Sequence, residues 1–381
     1  MRIGLLVTSV GSFGNKGFYN LQEVGLGKAL GALGHYVEIY KCVSKDKAGT
    51  VETVAPNVRL HPVGVMTVSS NALFSCTAVL APDLDVLVFM SDIQISAIGV
   101  ARWAKRHGIL FLPYVGTTGS TGASPVKRWI MNRLADIIFR AYKNTPVLVK
   151  TTAVKKELNR RGIKDVDVAP VGLDFDLMQK DYHVPKDELK ASLGLNPEAK
   201  YILMVGRIES DRDPLDVVPV FEKLHRHDGT FRLLVIGNGS LENALKDALE
   251  RRGLKEYALF VPQVSNSRMW KYYRAAEALV SFSRTEIFGM SILEAMYYEL
   301  PVYVMHAPGP DDIILNGKTG WLFSSPMEMA DAVAEDRGSE TGKMAHRRVT
   351  EFFSWSSMTK AVVGKAEAAG LPAEMKIHKG K

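Results

Sequence analysis

The chain alternates short apolar or β-branched runs with helix-length amphipathic segments, and it does so in two separate series. The first series is IGLLVT (3–8), VEIY (37–40), LDVLVFM (84–90), ILFLPY (109–114) and PVLVK (146–150). The texture then turns polar at about 175–200, with two prolines and few β-branched residues, which reads as a linker plus one short helix. The alternation restarts with YILMVG (201–206), RLLVIG (232–237), ALFVP (258–262), ALVSF (278–282) and PVYVM (301–305). Strand, helix, strand at this spacing requires parallel sheets joined by right-handed crossovers. The expected fold class is α/β, with two doubly wound Rossmann-like domains facing across a cleft. A length of 381 residues agrees, because single cores stop growing well before that size. The expected division is 1–175, 176–351, and a closing segment 352–381 that holds one helix and a flexible tail.

Composition narrows the partners. Hydrophobic residues make up 46% and charged residues 23%, the balance of a soluble globular protein. No apolar run reaches membrane-spanning length. The opening MRIGLLVTSV leads into a glycine-rich turn and reads as a first strand rather than a signal peptide. Cys42 and Cys76 are too few for a disulfide framework, so a reducing cytoplasm is expected. A net charge of +7 favours anionic partners. Nucleic acid is disfavoured among these, since the basic residues are scattered and no reading motif occurs. The segment VKRWIMNRLADIIFRAYK (126–143) groups Trp129, Ile130, Leu134, Ile137 and Ile138 on one side of a helix. Lys127, Arg128, Arg133, Arg140 and Lys143 flank them. Such a stripe is either core with a solvated rim or a helix that lies on an anionic membrane, here the inner face.

Doubly wound sheets bind ligands beyond the carboxyl ends of their strands. After the first strand, Gly11, Gly14 and Gly17 let backbone approach a ligand, although their spacing is not the dinucleotide fingerprint. In VGRIESDRDPLDVV, Arg207 directly follows a strand and Arg212 comes five residues later. Two guanidiniums there suit a diphosphate. The competing reading is an ion-pair network with Glu209, Asp211 and Asp213. Gly237 and Gly239 of VIGNGSLENAL open a second phosphate-friendly turn. In RTEIFGMSILEAMYY, Glu286 lies on the loop, the N–H groups of Phe288, Gly289, Met290 and Ser291 begin a helix, and Glu294 sits one turn in. Carboxylates suit paired hydroxyls such as those of sugars and riboses. Ser291-x-x-Glu294 alternatively matches a capping box. Asp92, in MSDIQ, reads as an acceptor contact or as a helix cap. The D-x-D tripeptide occurs at Asp83/Asp85, Asp165/Asp167, Asp174/Asp176 and Asp211/Asp213, too scattered to mark a metal site, and none is expected.

Taken in order, Arg207 and Arg212, the turn GNGSLE, the E-x7-E pattern of EIFGMSILE, then PVYV, PGPDDII and NGKTGWLF resemble the retaining glycosyltransferases of the GT-B type, family four. PVGLD (170–174) is similar to the family's junction motif, and FFSWSSMTKAV (352–362) to its C-terminal helix, which crosses back to the first domain. The likeness is dense over 150–362 and thin over 1–150. It implies an acceptor-side first domain, a donor domain, and transfer of a hexose from a UDP- or GDP-linked sugar to a carbohydrate or lipid-linked carbohydrate. It also implies retention of configuration, without metal or cofactor. Arg207 and Arg212 would hold the donor's diphosphate, Glu286 the transferred sugar and Glu294 the ribose. Phe288 to Ser291 would touch sugar and phosphate, Gln263 and Val264 the base, and Gly14 the diphosphate from the first domain. Gly116 stands where relatives often have His, on the acceptor side. A nucleotide-sugar epimerase of the same fold, and a donor-binding protein with weakened catalysis, are the competing functions.

Overall fold

The computed structural model describes residues 1–10, 21–68, 71–119, 125–178, 183–338 and 340–372. Two compact units emerge. The first holds residues 1–172 together with the segment from Trp355 onward, and the second holds Leu173–Ser354. Gly11, Gly14, Gly17 and the tail after 372 lie outside the described residues.

The first unit contains β1 (Arg2–Val7), β2 (Tyr36–Ser44), β3 (Glu52–Ala55), β4 (Val58–Val68), β5 (Asn71–Leu73), β6 (Val86–Phe89), β7 (Leu110–Val115), β8 (Val147–Val149) and β9 (Val166–Val168). They form one sheet in the order β3-β4-β2-β1-β6-β7-β8-β9, with β5 paired to β4. From β4 across to β9 every neighbouring pair is parallel, while β3 and β5 run antiparallel to β4. The central strand VLVF of β6 is buried along its whole length, as a strand covered by helices on both faces must be. The strands β3 to β5 had no clear sequence signal. Pro62 and the polar residues within β4 break the apolar run that marks the others.

The second unit contains β10 (Lys200–Val205), β11 (Phe231–Ile236), β12 (Ala258–Val261), β13 (Ala278–Ser281), β14 (Val302–Met305) and β15 (Trp321–Phe323). Their order is β12-β11-β10-β13-β14-β15, parallel throughout. The expected fold class, α/β with two Rossmann-like halves, is what is found. The short helix of the polar stretch is Lys186–Ser192. Its Lys190 is buried, and its ammonium donates to the Pro197 and Ala199 carbonyls at 3.2 and 2.7 Å and to Glu277 at 3.1 Å. These bonds satisfy a charge that would be costly to bury unpaired.

The helix Trp355–Ala368 belongs to the first unit. Trp355 lies directly over Gly25 of the helix Gln22–Ala32, so closely that any side chain there would collide with the indole.

The helix Pro125–Ala141 departs from the expected stripe. Ala135, Ile138, Phe139 and the following Tyr142 enter the core, with Met131 and Leu134 packed against it. Val126, Trp129, Ile130 and Ile137 are 68%, 62%, 54% and 51% exposed. At about 100° per residue the two groups fall on opposite faces. The helix therefore has a core face, and a second apolar face that faces solvent.

Candidate functional site

The second unit gathers most of the expected residues at the carboxyl ends of its strands. The loops leaving β10 and β11 are laced together: Ile208 N–H donates to the Asn238 carbonyl at 2.9 Å, and Leu241 N–H to the Ile208 carbonyl at 3.0 Å. Glycine permits this approach. Gly237 adopts φ +137°, and a Cβ on Gly239 would lie 2.5 Å from the Ile208 carbonyl carbon. Arg207 is thus fixed beside the Gly237–Gly239 turn.

Arg207 and Arg212 share Asp211, at 2.7 Å (Nη2) and 3.7 Å (Nε). Arg212 Nη1 also donates to Glu286 Oε2. The ion-pair alternative is therefore present for Asp211 only. Glu209 instead accepts from Ser240 N–H at 2.9 Å and from its hydroxyl at 2.6 Å, and Asp213 pairs with Arg284 at 3.1 Å. Ser283 and Thr285, at the end of β13, donate to the Asp211 carbonyl at 3.0 and 2.8 Å. These bonds bring the Arg212 loop against the Glu286 loop across 74 residues of sequence.

Glu286 is tightly placed. Its Oε1 accepts from Phe288 N–H at 3.3 Å, and its carbonyl accepts from Gly309 N–H at 2.9 Å. One of the four N–H groups expected to face a ligand is therefore taken by Glu286 itself. The helix Met290–Tyr297 starts from Gly289, which is left-handed at φ +102°. Ser291 is consequently inside the helix, no side chain caps it, and the capping box is not formed. The N–H groups of Met290 and Ser291 have no acceptor among the described residues, as expected in a first turn.

Glu294 is half-buried one turn further on. Tyr273, from the helix Asn266–Ala275, donates its hydroxyl to Glu294 Oε2 at 2.7 Å. Burial pushes the Glu294 carboxyl up to about 7, outweighing this bond, which lowers it. Tyr273 had no sequence signal: it lies 21 residues upstream on a helix without a motif. Gln263 and Val264 follow β12, at the same carboxyl edge. Gln263 is exposed and Val264 half-buried.

In the first unit, Asp92 follows β6 and Gly116 follows β7. Asp92 Oδ1 accepts from the N–H groups of Gly116 and Thr117 at 2.5 and 3.2 Å. Asp92 is therefore no helix cap; it ties the end of β7 to the loop after β6, and the next helix begins only at Ala97. Asp165 and Asp167 bind Lys365. Among the described residues no group of three or more His, Cys, Asp or Glu stands ready for a metal ion, and no helix is long and apolar enough to cross a membrane.

Residues 185–338 match the family model described as glycosyl transferases group 1. The chain is 29% identical over 186 residues to an uncharacterized glycosyltransferase of Methanocaldococcus jannaschii, covering 47% of each protein. It is 26% identical over 148 residues to alpha-monoglucosyldiacylglycerol synthase of Streptococcus pneumoniae, covering 39% of this chain and 34% of that one. The matches thus span less than half the length of either relative. Sucrose-phosphate synthase of Thermosynechococcus elongatus superposes with a TM-score of 0.77 at 18% identity, over 97% of this chain and 99% of that one. These matches agree with the resemblance read from the motifs as far as glycosyl transferases group 1 over residues 185–338, and the fold is that of GT-B proteins.

Proposed function

We propose that the chain is a retaining glycosyltransferase, a reading supported by the match of residues 185–338 to the group 1 glycosyl transferases and by the GT-B fold. It moves a hexose from a UDP- or GDP-linked sugar to a carbohydrate or lipid-linked carbohydrate acceptor. The observation that carries this reading is the contact of Arg212 with Glu286 beside the open N–H groups of Met290 and Ser291. A cation for phosphate, a carboxylate for hydroxyls and free backbone donors lie on adjoining loops at one sheet edge.

In this reading Arg207 and Arg212 take the donor's diphosphate, exchanging part of their bonding to Asp211 for it. Glu286 accepts from hydroxyls of the hexose, Glu294 from the ribose, and the segment at Val264 meets the base. As the bond between the anomeric carbon and the phosphate oxygen breaks, negative charge grows on the diphosphate, where the two guanidiniums and the helix N-terminus stabilise it. The acceptor hydroxyl forms the new bond on the same face and passes its proton to the departing phosphate oxygen. No cofactor or metal is needed, because the arginines supply the positive charge. The acceptor side belongs to the first unit, with Asp92 and Gly116.

A panel of nucleotide sugars, titrated calorimetrically and assayed for slow donor hydrolysis, tests the proposal. Binding of at least one, with release of its hexose in the α-configuration of the donor, is expected. Epimerised nucleotide sugar as product would instead identify the epimerase. Binding with no turnover toward any acceptor would identify a donor-binding protein.

A second reading concerns location. The exposed face of Val126, Trp129, Ile130 and Ile137 carries Arg133, 5.8 Å from the Trp129 ring, and Arg140. An apolar strip flanked by cations suits the anionic inner face of a cytoplasmic membrane, where a lipid-linked acceptor resides.

A further inference from the structure

We propose that Lys150 is the cation of a phosphate-binding subsite in the first unit, so that the acceptor carries a phosphate oxyanion. The term acceptor rests on the glycosyltransferase reading; the subsite does not.

Lys150 directly follows β8, and its N–H donates to the Val115 carbonyl of β7 at 3.0 Å. Its side chain folds back over Gly116. A Cβ at Gly116 would lie 2.8 Å from Lys150 Cδ, 2.9 Å from Cε and 3.1 Å from Nζ. The glycine is thus the space in which the ammonium sits, and a larger residue there would displace it. The ammonium lies 5.6 Å from the centre of the Tyr114 ring, whose hydroxyl is committed to the Ala169 carbonyl at 2.9 Å.

Lys150 is half-buried, and among the described residues the one contact of its ammonium is with the Tyr114 ring, no carboxylate, carbonyl or hydroxyl accepting a hydrogen bond from it. An ammonium held in place without a carboxylate partner suits an anionic ligand. Its neighbours show the contrast. Arg161, which reaches the Thr118 carbonyl at 3.3 Å, is neutralised by Asp136 at 2.7 Å and Glu157 at 2.9 Å. Asp92, on the adjoining loop, is turned to the Gly116 and Thr117 N–H groups rather than to Lys150. Further along the same edge, Thr8 after β1 is fully buried, and its hydroxyl Oγ1 has no partner among the described residues. The carboxyl edge of four adjacent strands, β1, β6, β7 and β8, therefore carries, among the described residues, a cation without an anionic partner and one unpartnered hydroxyl, that of Thr8, where doubly wound sheets take their ligands. A phosphate fits the lysine as a point charge.

Competitive labelling of the full chain with an amine-reactive acetyl ester, with each lysine followed by peptide mass spectrometry, tests the assignment. Inorganic phosphate or sn-glycerol 1-phosphate should slow acetylation of Lys150 severalfold relative to glycerol at equal ionic strength. Lys246, paired with Glu242 in the second unit, should not respond. Protection by dissolved glycerol phosphate identifies a soluble phosphorylated acceptor. Protection only by vesicles containing phosphatidylglycerol identifies a lipid headgroup. Unchanged labelling of Lys150 with all of these overturns the proposal. No donor is present in the experiment, so a chain that bound no nucleotide sugar would defeat the functional reading and leave this result standing.

Discussion

Replacing Glu294 by Gln gives two opposite pH effects from one carboxylate. Burial holds the group at about 7, against an ordinary value of 4.5. Between these values the folded chain binds more protons at this site than the unfolded chain, so folding stability falls as pH rises through the window. At about 1.4 kcal/mol per pH unit, the loss above pH 7 is on the order of 3 kcal/mol. Glu294→Gln cannot ionise but still accepts from Tyr273, so it should match wild type near pH 4.5 and exceed it by up to that amount at about pH 8. Donor binding runs the other way. The ribose hydroxyls want the ionised carboxylate, so wild-type affinity should weaken as pH falls, by about thirtyfold at pH 5.5 if only the ionised form binds. The Gln variant should bind about 1 to 3 kcal/mol more weakly than wild type at about pH 8, with little pH dependence. Urea unfolding and calorimetric titration of the nucleotide sugar, each at several pH values, read the two effects. A stability gap independent of pH would refute the buried-carboxyl argument. A wild-type donor affinity that does not change with pH would refute the ribose contact.

Glu286→Gln keeps the shape but weakens acceptance from Arg212 and from the hexose, so turnover should slow by roughly ten- to a thousandfold with donor affinity little changed; normal turnover in steady-state assays would count against it. Gly239→Ala forces a methyl against the Ile208 backbone and should cost about 1–3 kcal/mol in denaturant unfolding; wild-type stability would show that the two loops are not laced as described. Changing Trp129 and Ile130 together to Ser should abolish sedimentation with anionic vesicles while leaving stability within about 0.5 kcal/mol, since both are exposed. Equal sedimentation of variant and wild type would remove the membrane reading.

The sequence by itself determined the parallel cores of the two sheets, though not the antiparallel β3 and β5 at the edge of the first, because fully buried strands such as VLVF and VYVM must be continuous apolar runs. It also placed Arg207, Arg212, Glu286 and Glu294 on loops and a helix start at the carboxyl edge of one sheet. It could not show which side chains meet. Arg212 reaches Glu286 because β10 and β13 are neighbours in the sheet, although 74 residues separate the pair in the chain. Tyr273 reaches Glu294 only through the packing of two helices, which no local spacing encodes. The helix Pro125–Ala141 makes the same point from the other side. Its sequence is apolar on two faces, and periodicity alone does not say which one is buried. Packing chose Ala135, Ile138 and Phe139, and left Trp129, Ile130 and Ile137 in solvent. Lys150 gave no signal at all, because what distinguishes it is the absent side chain of Gly116 on the neighbouring strand, and strands that are distant in sequence become neighbours only when the sheet forms.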